Sequence, residues 1–145
     1  MSPKRILLAE DDTRDVELIL AALEEIDLAS KVDIVNDGES TLDYLFKRGD
    51  YSNRESSNPI FLMLDLKMPK VSGLEVLKAI KENDSLCNIP IVILSSSKME
   101  SDILNSYKNG GNAYIVKPVA FEKFIETVKK IGSFWANINE TPPNN

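Results

Sequence analysis

Asp65 closes the apolar run Ile60 to Leu64, and Pro69 then stops any continuation of a strand. A carboxylate in that place is a candidate nucleophile or metal ligand, because in open α/β sheets ligands bind outside the carboxyl ends of the strands. Taken alone it would serve equally well to turn the chain. Three further apolar runs, however, end in matching chemistry. Arg5 to Ala9 runs into Glu10, Asp11 and Asp12, Ile91 to Ser95 ends in the hydroxyls of Ser95, Ser96 and Ser97, and Ala113 to Lys117 ends in an ammonium ahead of Pro118. Carboxylates held together repel unless a proton or cation intervenes, and an oxygen-only donor set favours a hard divalent ion, so Mg²⁺ is the expected cofactor at Glu10, Asp11 and Asp65. Lys117 cannot ligate a metal; its natural partner is Asp65 or the oxygens of a phosphoryl group carried there. A carboxylate nucleophile, a charge-offsetting ion, a lysine and a hydroxyl together make a phosphoryl-transfer site.

Those side chains meet only if the strands lie parallel in one sheet. Strand and helix patterns alternate throughout. Val16, Ile19, Leu20, Leu23 and Ile26 recur at helical spacing after the first strand, with Asp12 or Thr13 as N-cap. Lys31 to Val35 is the second strand, followed by an Asn-Asp-Gly turn and a helix from about Glu39 to Lys47. Residues 49–59 form a polar surface loop, the least regular part of the chain. The third strand, Ile60 to Asp65, precedes a helix carrying Leu74, Leu77 and Ile80 inward, and a fourth helix runs from about Met99 to Lys108. The last helix begins near Ala120 and sets Phe121, Phe124, Ile125, Val128, Ile131 and Trp135 on one face. The expected fold is therefore a doubly wound α/β (βα)5 unit, with a five-stranded parallel sheet covered on both faces. In strand order 2-1-3-4-5, Glu10, Asp11 and Asp65 converge at the switch point between the first and third strands. Residues 1–138 are expected to form one domain and 139–145 a polar tail.

Composition narrows the function. With 43% hydrophobic residues in a 145-residue chain there is material for one core and no room for a second domain. A net charge of −6 disfavours nucleic acid as a partner. No apolar run is long enough for a membrane span and no signal peptide is evident, so a cytoplasmic protein is expected. One cysteine, Cys87, excludes an internal disulfide. The absence of histidine removes any internal Ser-His or Cys-His couple, so imidazole chemistry has to come from a partner.

From Lys4 to about Ile131 the chain resembles the CheY-like receiver domains of two-component response regulators, whose fold is flavodoxin-like. The matching landmarks are Glu10 and Asp11, Asp65 in LDLKMP, Ser95, Tyr114, and Lys117 followed by Pro118. The resemblance implies a single-domain response regulator in which Asp65 accepts a phosphoryl group from a sensor histidine kinase or a small phosphodonor. Asp11, Asp65 and the backbone carbonyl of Lys67 would ligate Mg²⁺, Glu10 would act through water, and Lys117 and Ser95 would bind phosphoryl oxygens. It further implies a switch in which Ser95 moves toward the phosphoryl group and Tyr114 turns inward, a cis bond before Pro118, and tuning of the acyl-phosphate lifetime by Lys67 and Ser97. The output would be protein contact or onward phosphotransfer.

Within that family the loop RGDYSNRESSNP and the ending IGSFWANI are similar to regulators paired with cyanobacterial phytochromes, which makes a phytochrome the candidate kinase. An exposed Phe134 or Trp135 would be an anchor for a dimer or partner, and the fourth helix, fifth strand and fifth helix form the candidate homodimer face. Three other readings compete. A haloacid-dehalogenase-type phosphatase needs an acid two residues after its nucleophile, where Lys67 stands. A flavodoxin-type binding module needs a phosphate loop where Glu10, Asp11 and Asp12 stand. A phosphorylation-independent adaptor would have no use for the full acid, hydroxyl and lysine set.

Overall fold

The computed structural model describes residues 4–55 and 57–143; Met1 to Pro3, Ser56 of the polar loop, and Asn144 and Asn145 of the tail lie outside the described residues. In chain order the elements are β1 (Ile6–Ala9), α1 (Thr13–Glu24), β2 (Val32–Val35), α2 (Gly38–Phe46), β3 (Leu62–Leu64), α3 (Gly73–Lys81), β4 (Ile91–Ser95), α4 (Glu100–Lys108), β5 (Ala113–Val116) and α5 (Phe121–Gly132). The strands make one sheet ordered β2-β1-β3-β4-β5, every pair parallel.

Because strand side chains alternate, the two faces build separate cores. Leu7, Ala9, Leu62, Leu64, Ile91 and Ile93 face α2 and α3, which contribute Tyr44, Leu45, Val76, Leu77 and Ile80. Ile6, Leu8, Met63, Val92 and Leu94 face α1 and α5, which contribute Ile19, Ala22, Leu23, Phe124, Val128 and Ile131. Of α4 only Ser106 is buried, so this helix is the one least anchored by packing.

Helix starts follow from local chemistry. The Asp12 side chain accepts hydrogen bonds from the backbone N–H groups of Arg14 and Asp15, fixing where α1 begins. Asp37 caps α2 by accepting from Ser40, and Ser72 with Glu75 forms a reciprocal capping box on α3. The Asn109-Gly110-Gly111 exit from α4 uses positive φ at Gly110, +100°.

Three expectations are modified. Strand ends are shorter than the apolar runs: Ile60 and Phe61 share backbone hydrogen bonds with Arg5 and Leu7 but precede the regular pairing of β3. The polar loop is tied down rather than irregular. Gly49–Tyr51 makes a 3-10 turn, and the Arg54 guanidinium lies 4.2 Å over the Tyr44 ring while its Nε donates to the Tyr44 carbonyl at 2.9 Å. Lastly, Phe121 is 63% exposed instead of joining the inner stripe of α5. It belongs to the helix's first turn, which borders an open groove beside Lys117 and Pro118, so the apolar stripe reaches cover only from Phe124 onward. After α5 a π-helical turn, Ser133–Ile138, leaves Phe134 45% exposed, with Trp135 half-buried against the α1–α5 core. Among the described residues no helix is long and apolar enough to cross a membrane.

Candidate functional site

Glu10, Asp65 and Lys117 each stand one residue past the end of a strand and are held there by one more ladder-like backbone hydrogen bond. Glu10 N–H donates to Val35 O at 3.0 Å, Asp65 N–H to Ala9 O at 3.0 Å, and Lys117 N–H to Ser95 O at 2.7 Å. The sheet order therefore delivers them to one edge. Carboxylate oxygens of Glu10, Asp11 and Asp65 all lie within 4.8 Å of one another, with Glu10 and Asp65 buried and Asp11 exposed. A donor set made only of oxygens, one member open to solvent, fits a hard divalent cation that keeps some of its water.

Lys117 supplies the positive charge, though not where the sequence suggested. Its Nζ donates to Glu10 Oε1 and to Asp15 Oδ2, both at 2.7 Å, and stands 3.8 Å from Asp65 Oδ2, beyond hydrogen-bond range. Asp15 is a member of the site that the sequence does not announce. An acid in a helix's first turn reads as a complement to the helix dipole, and nothing local reveals a partner 102 residues away.

Burial pushes the Glu10 carboxyl up to about 8; its hydrogen bond from Lys117 opposes this and the Asp65 charge adds to it. Burial also raises Asp65, against the attraction of Lys117 and the hydrogen bond from Glu10. Burial thus favours the neutral form of both carboxyls, and the Lys117 ammonium opposes it at each of them. Burial lowers the Lys117 ammonium, but hydrogen bonds to Asp15 and Glu10 outweigh it and hold that group above the ordinary lysine range.

A pH dependence follows. A carboxyl whose folded pKa is raised contributes stability that is complete below the unfolded value and is lost as pH rises through the folded one. For Glu10 that window runs from about 4.5 to about 8. In EDTA, Glu10→Gln should therefore melt higher than wild type, by a margin that widens from about pH 5 to about pH 8.5. A margin that narrows over this range would mean that the ion pair with Lys117 outweighs the burial of the charge.

The remaining site residues fall into two groups. Ser95 is 1% exposed, and its Oγ accepts from Ser97 N–H at 3.1 Å. Ser97 is also buried: its Oγ donates to Asp102 Oδ2 at 2.5 Å and accepts from Met99 N–H, tying the β4–α4 turn to the start of α4. Tyr114 is half-buried on β5, and its hydroxyl donates to Ser97 O at 3.0 Å. Lys67 is exposed; its N–H donates to Asp65 Oδ1 at 3.3 Å. One expectation fails outright. Among the described residues no peptide bond is cis, so Pro118 follows a trans bond. Trans is the isomer an X–Pro bond favours by about 0.5–1 kcal/mol when packing does not oppose it, and the next residue, Val119, is fully exposed.

With this geometry in hand, the chain's relatives are informative. A family model for the response regulator receiver domain matches residues 6–129. The probable methanogenesis regulatory protein FilR2 of Methanothrix harundinacea is 36% identical over 140 residues, spanning 97% of this chain and 88% of that protein. Response regulator Rcp1 of Synechocystis is 37% identical over 133 residues, 92% of this chain and 89% of Rcp1. The Mn²⁺-bound form of Rcp1 superposes with a TM-score of 0.89 at 36% identity, covering 97% of this chain and 99% of that one. The phosphorylated cyanobacterial phytochrome response regulator RcpA gives 0.90 at 38% identity, with the same coverage of both chains, 97% and 99%.

Proposed function

The chain belongs to the response regulator receiver domain family, and from that premise we propose that Asp65 is its phosphoacceptor. It is a signalling protein of a two-component system rather than a classical enzyme, and its family implies a histidine kinase partner. The observation that carries the assignment is the convergence of Asp65 with Glu10 and Asp11 within 4.8 Å and with the Lys117 ammonium at 3.8 Å.

Asp11, Asp65 and the Lys67 carbonyl would hold Mg²⁺, with Glu10 acting through water, and the ion would supply positive charge to offset that of the acids and of the incoming phosphoryl oxygens. The Asp65 carboxylate attacks the phosphorus of a phosphohistidine or a small phosphodonor. An O–P bond to Asp65 forms as the donor's bond to phosphorus breaks, and Asp65 becomes an acyl phosphate. From phosphohistidine or phosphoramidate the leaving nitrogen keeps the electron pair and takes a proton from solvent; from acetyl phosphate the leaving oxygen keeps the pair as acetate. Lys117 and Ser95 bind the phosphoryl oxygens, so the chemistry is assisted by positioning and charge rather than by a general base. The same site assists loss of the phosphoryl group, with Lys67 and Ser97 tuning its lifetime.

For the output, Ser95 is drawn toward the phosphoryl group and Tyr114 responds as the switch. The chain of hydrogen bonds from Ser95 Oγ to Ser97, and from Ser97 to Asp102 and Tyr114, supports this, since a shift of Ser95 reaches α4 and β5 together. The weakly anchored α4, with Met99, Leu104 and Tyr107 exposed, makes α4, β5 and α5 the surface for a downstream partner or a second copy of the chain, and the exposed Phe134 is a further anchor. Similarity to RcpA supports a phytochrome as the upstream kinase. Residues 1–138 act as the receiver unit and 139–145 as its tail, in the cytoplasm.

The bond type is a direct test. Protein labelled with radioactive phosphoramidate in Mg²⁺ should lose the label to neutral hydroxylamine, as an acyl phosphate does. Label that survives hydroxylamine would point to a hydroxyl ester and would refute Asp65 as acceptor.

A further inference from the structure

We propose that Asp15 is a positioning residue that holds the Lys117 ammonium on the α1 side of the site, in competition with a phosphoryl group on Asp65. This rests on the assignment of Asp65 as phosphoacceptor and adds a residue which that assignment does not use.

An ammonium has three N–H donors. Two of those on Lys117 are taken at 2.7 Å by Glu10 and Asp15, whereas Asp65 stands at 3.8 Å. The lysine side chain is 11% exposed and that of Asp15 23%, so the pair is partly shielded from solvent. Asp15 cannot follow the lysine across the site. It lies in the first turn of α1, whose start is fixed by the Asp12 cap and whose inner face is locked by Ile19, Ala22 and Leu23.

A phosphoryl group on Asp65 would add acceptor oxygens and negative charge opposite Asp15. Those oxygens draw Nζ toward Asp65 and compete with Asp15 for its donors, so that on this proposal its contact with Asp15 lengthens or breaks. Glu10 adjoins Asp65 and stays within reach of a lysine that moves that way; Asp15 does not. Space for a released Asp15 carboxylate exists, because Asp15, Lys117, Ser96 and Phe121 line an open groove of about 290 Å³. Asp15 thereby weights the equilibrium toward the unphosphorylated arrangement. Its role as a helix-dipole complement would persist without Lys117 and predicts no such bias.

The test compares wild type, Asp15→Asn and Asp15→Glu. Each is titrated with beryllofluoride in Mg²⁺, followed by the amide NMR signal of Ser96, and each is timed for phosphorylation by acetyl phosphate. Asp15→Asn should bind beryllofluoride more tightly and phosphorylate faster, each by about two- to fivefold, the scale of a partly exposed ion pair. The gain should shrink in high salt, and Asp15→Glu should restore wild-type values. Equal or weaker binding by Asp15→Asn overturns the proposal, because Asp15 would then be neutral or would present Lys117 productively. In wild type itself, beryllofluoride should move the Asp15 carboxylate carbon signal toward that of a free aspartate; an unmoved signal also overturns it. A wild type that neither binds beryllofluoride nor accepts a phosphoryl group would instead refute the assignment of Asp65.

Discussion

Lys117→Ala will destabilise the metal-free protein by about 3–5 kcal/mol near pH 9, the usual consequence of removing one member of a buried ion pair. Glu10 is 2% exposed and Asp65 8%, and among the described residues Lys117 is the cation paired with both. Without it two buried carboxylates face each other, with Asp15 beside them. The loss should diminish as pH falls, because Glu10 without the hydrogen bond from Lys117 that lowers it takes up a proton more readily than in wild type and then needs no counter-charge. Mg²⁺ should return part of the stability, because on the proposed assignment an ion at Asp11 and Asp65 would supply the missing positive charge. Urea denaturation of both proteins, in EDTA and in Mg²⁺, measures each part. A difference below about 1 kcal/mol at pH 9, the size of a surface pair, would show that the acids are better solvated than their burial implies.

Gly73→Ala should disturb the site through its backbone. A Cβ at Gly73 would lie 2.4 Å from Asp65 O and 2.5 Å from Leu66 Cα, and both of these are main-chain atoms that no rotamer change can move away. Gly73 N–H also donates to Leu66 O at 2.8 Å, so the start of α3 is pressed directly against the end of β3. The glycine is required for space rather than for its φ, which is not positive. Relieving the overlap means pushing α3 off the strand or tilting the Asp65 peptide. Overpacking of this kind costs about 1–3 kcal/mol, and a displaced ligand-bearing backbone should weaken Mg²⁺ affinity by about tenfold or more. Calorimetric titration of Mg²⁺ alongside denaturation checks both effects. Unchanged Mg²⁺ affinity would mean that the loop absorbs the methyl group without moving Asp65.

Glu10, Asp65, Ser95 and Lys117 were legible in the sequence because each marks where an apolar run stops, and the end of a run is a local pattern. Strand–helix alternation makes the sheet parallel with helices on both faces, but it is shared by more than one doubly wound strand order, and 2-1-3-4-5 is the order of the family the chain resembles. What stayed hidden depends on pairs far apart in the chain. Asp15 reads as a helix-start acid until β5 brings Lys117 beside it. Arg54 reads as a loop cation until α2 places Tyr44 under it. Phe121 fits the helical stripe by spacing, but periodicity does not report where a helix gains cover, and its first turn borders the open groove. No pattern in the chain reports the isomer at Pro118; the cis bond is an implication of the family resemblance, and in this structure the bond is trans.

The measurement that bears most directly on the central claim is the intact mass of wild type and Asp65→Asn after incubation with acetyl phosphate, with and without Mg²⁺. The account predicts one added phosphoryl group on wild type in Mg²⁺ alone, and none on Asp65→Asn under either condition. An equal gain by Asp65→Asn, or a wild type that stays unmodified while a control receiver is labelled, would contradict it, the latter in favour of a receiver that signals by binding alone.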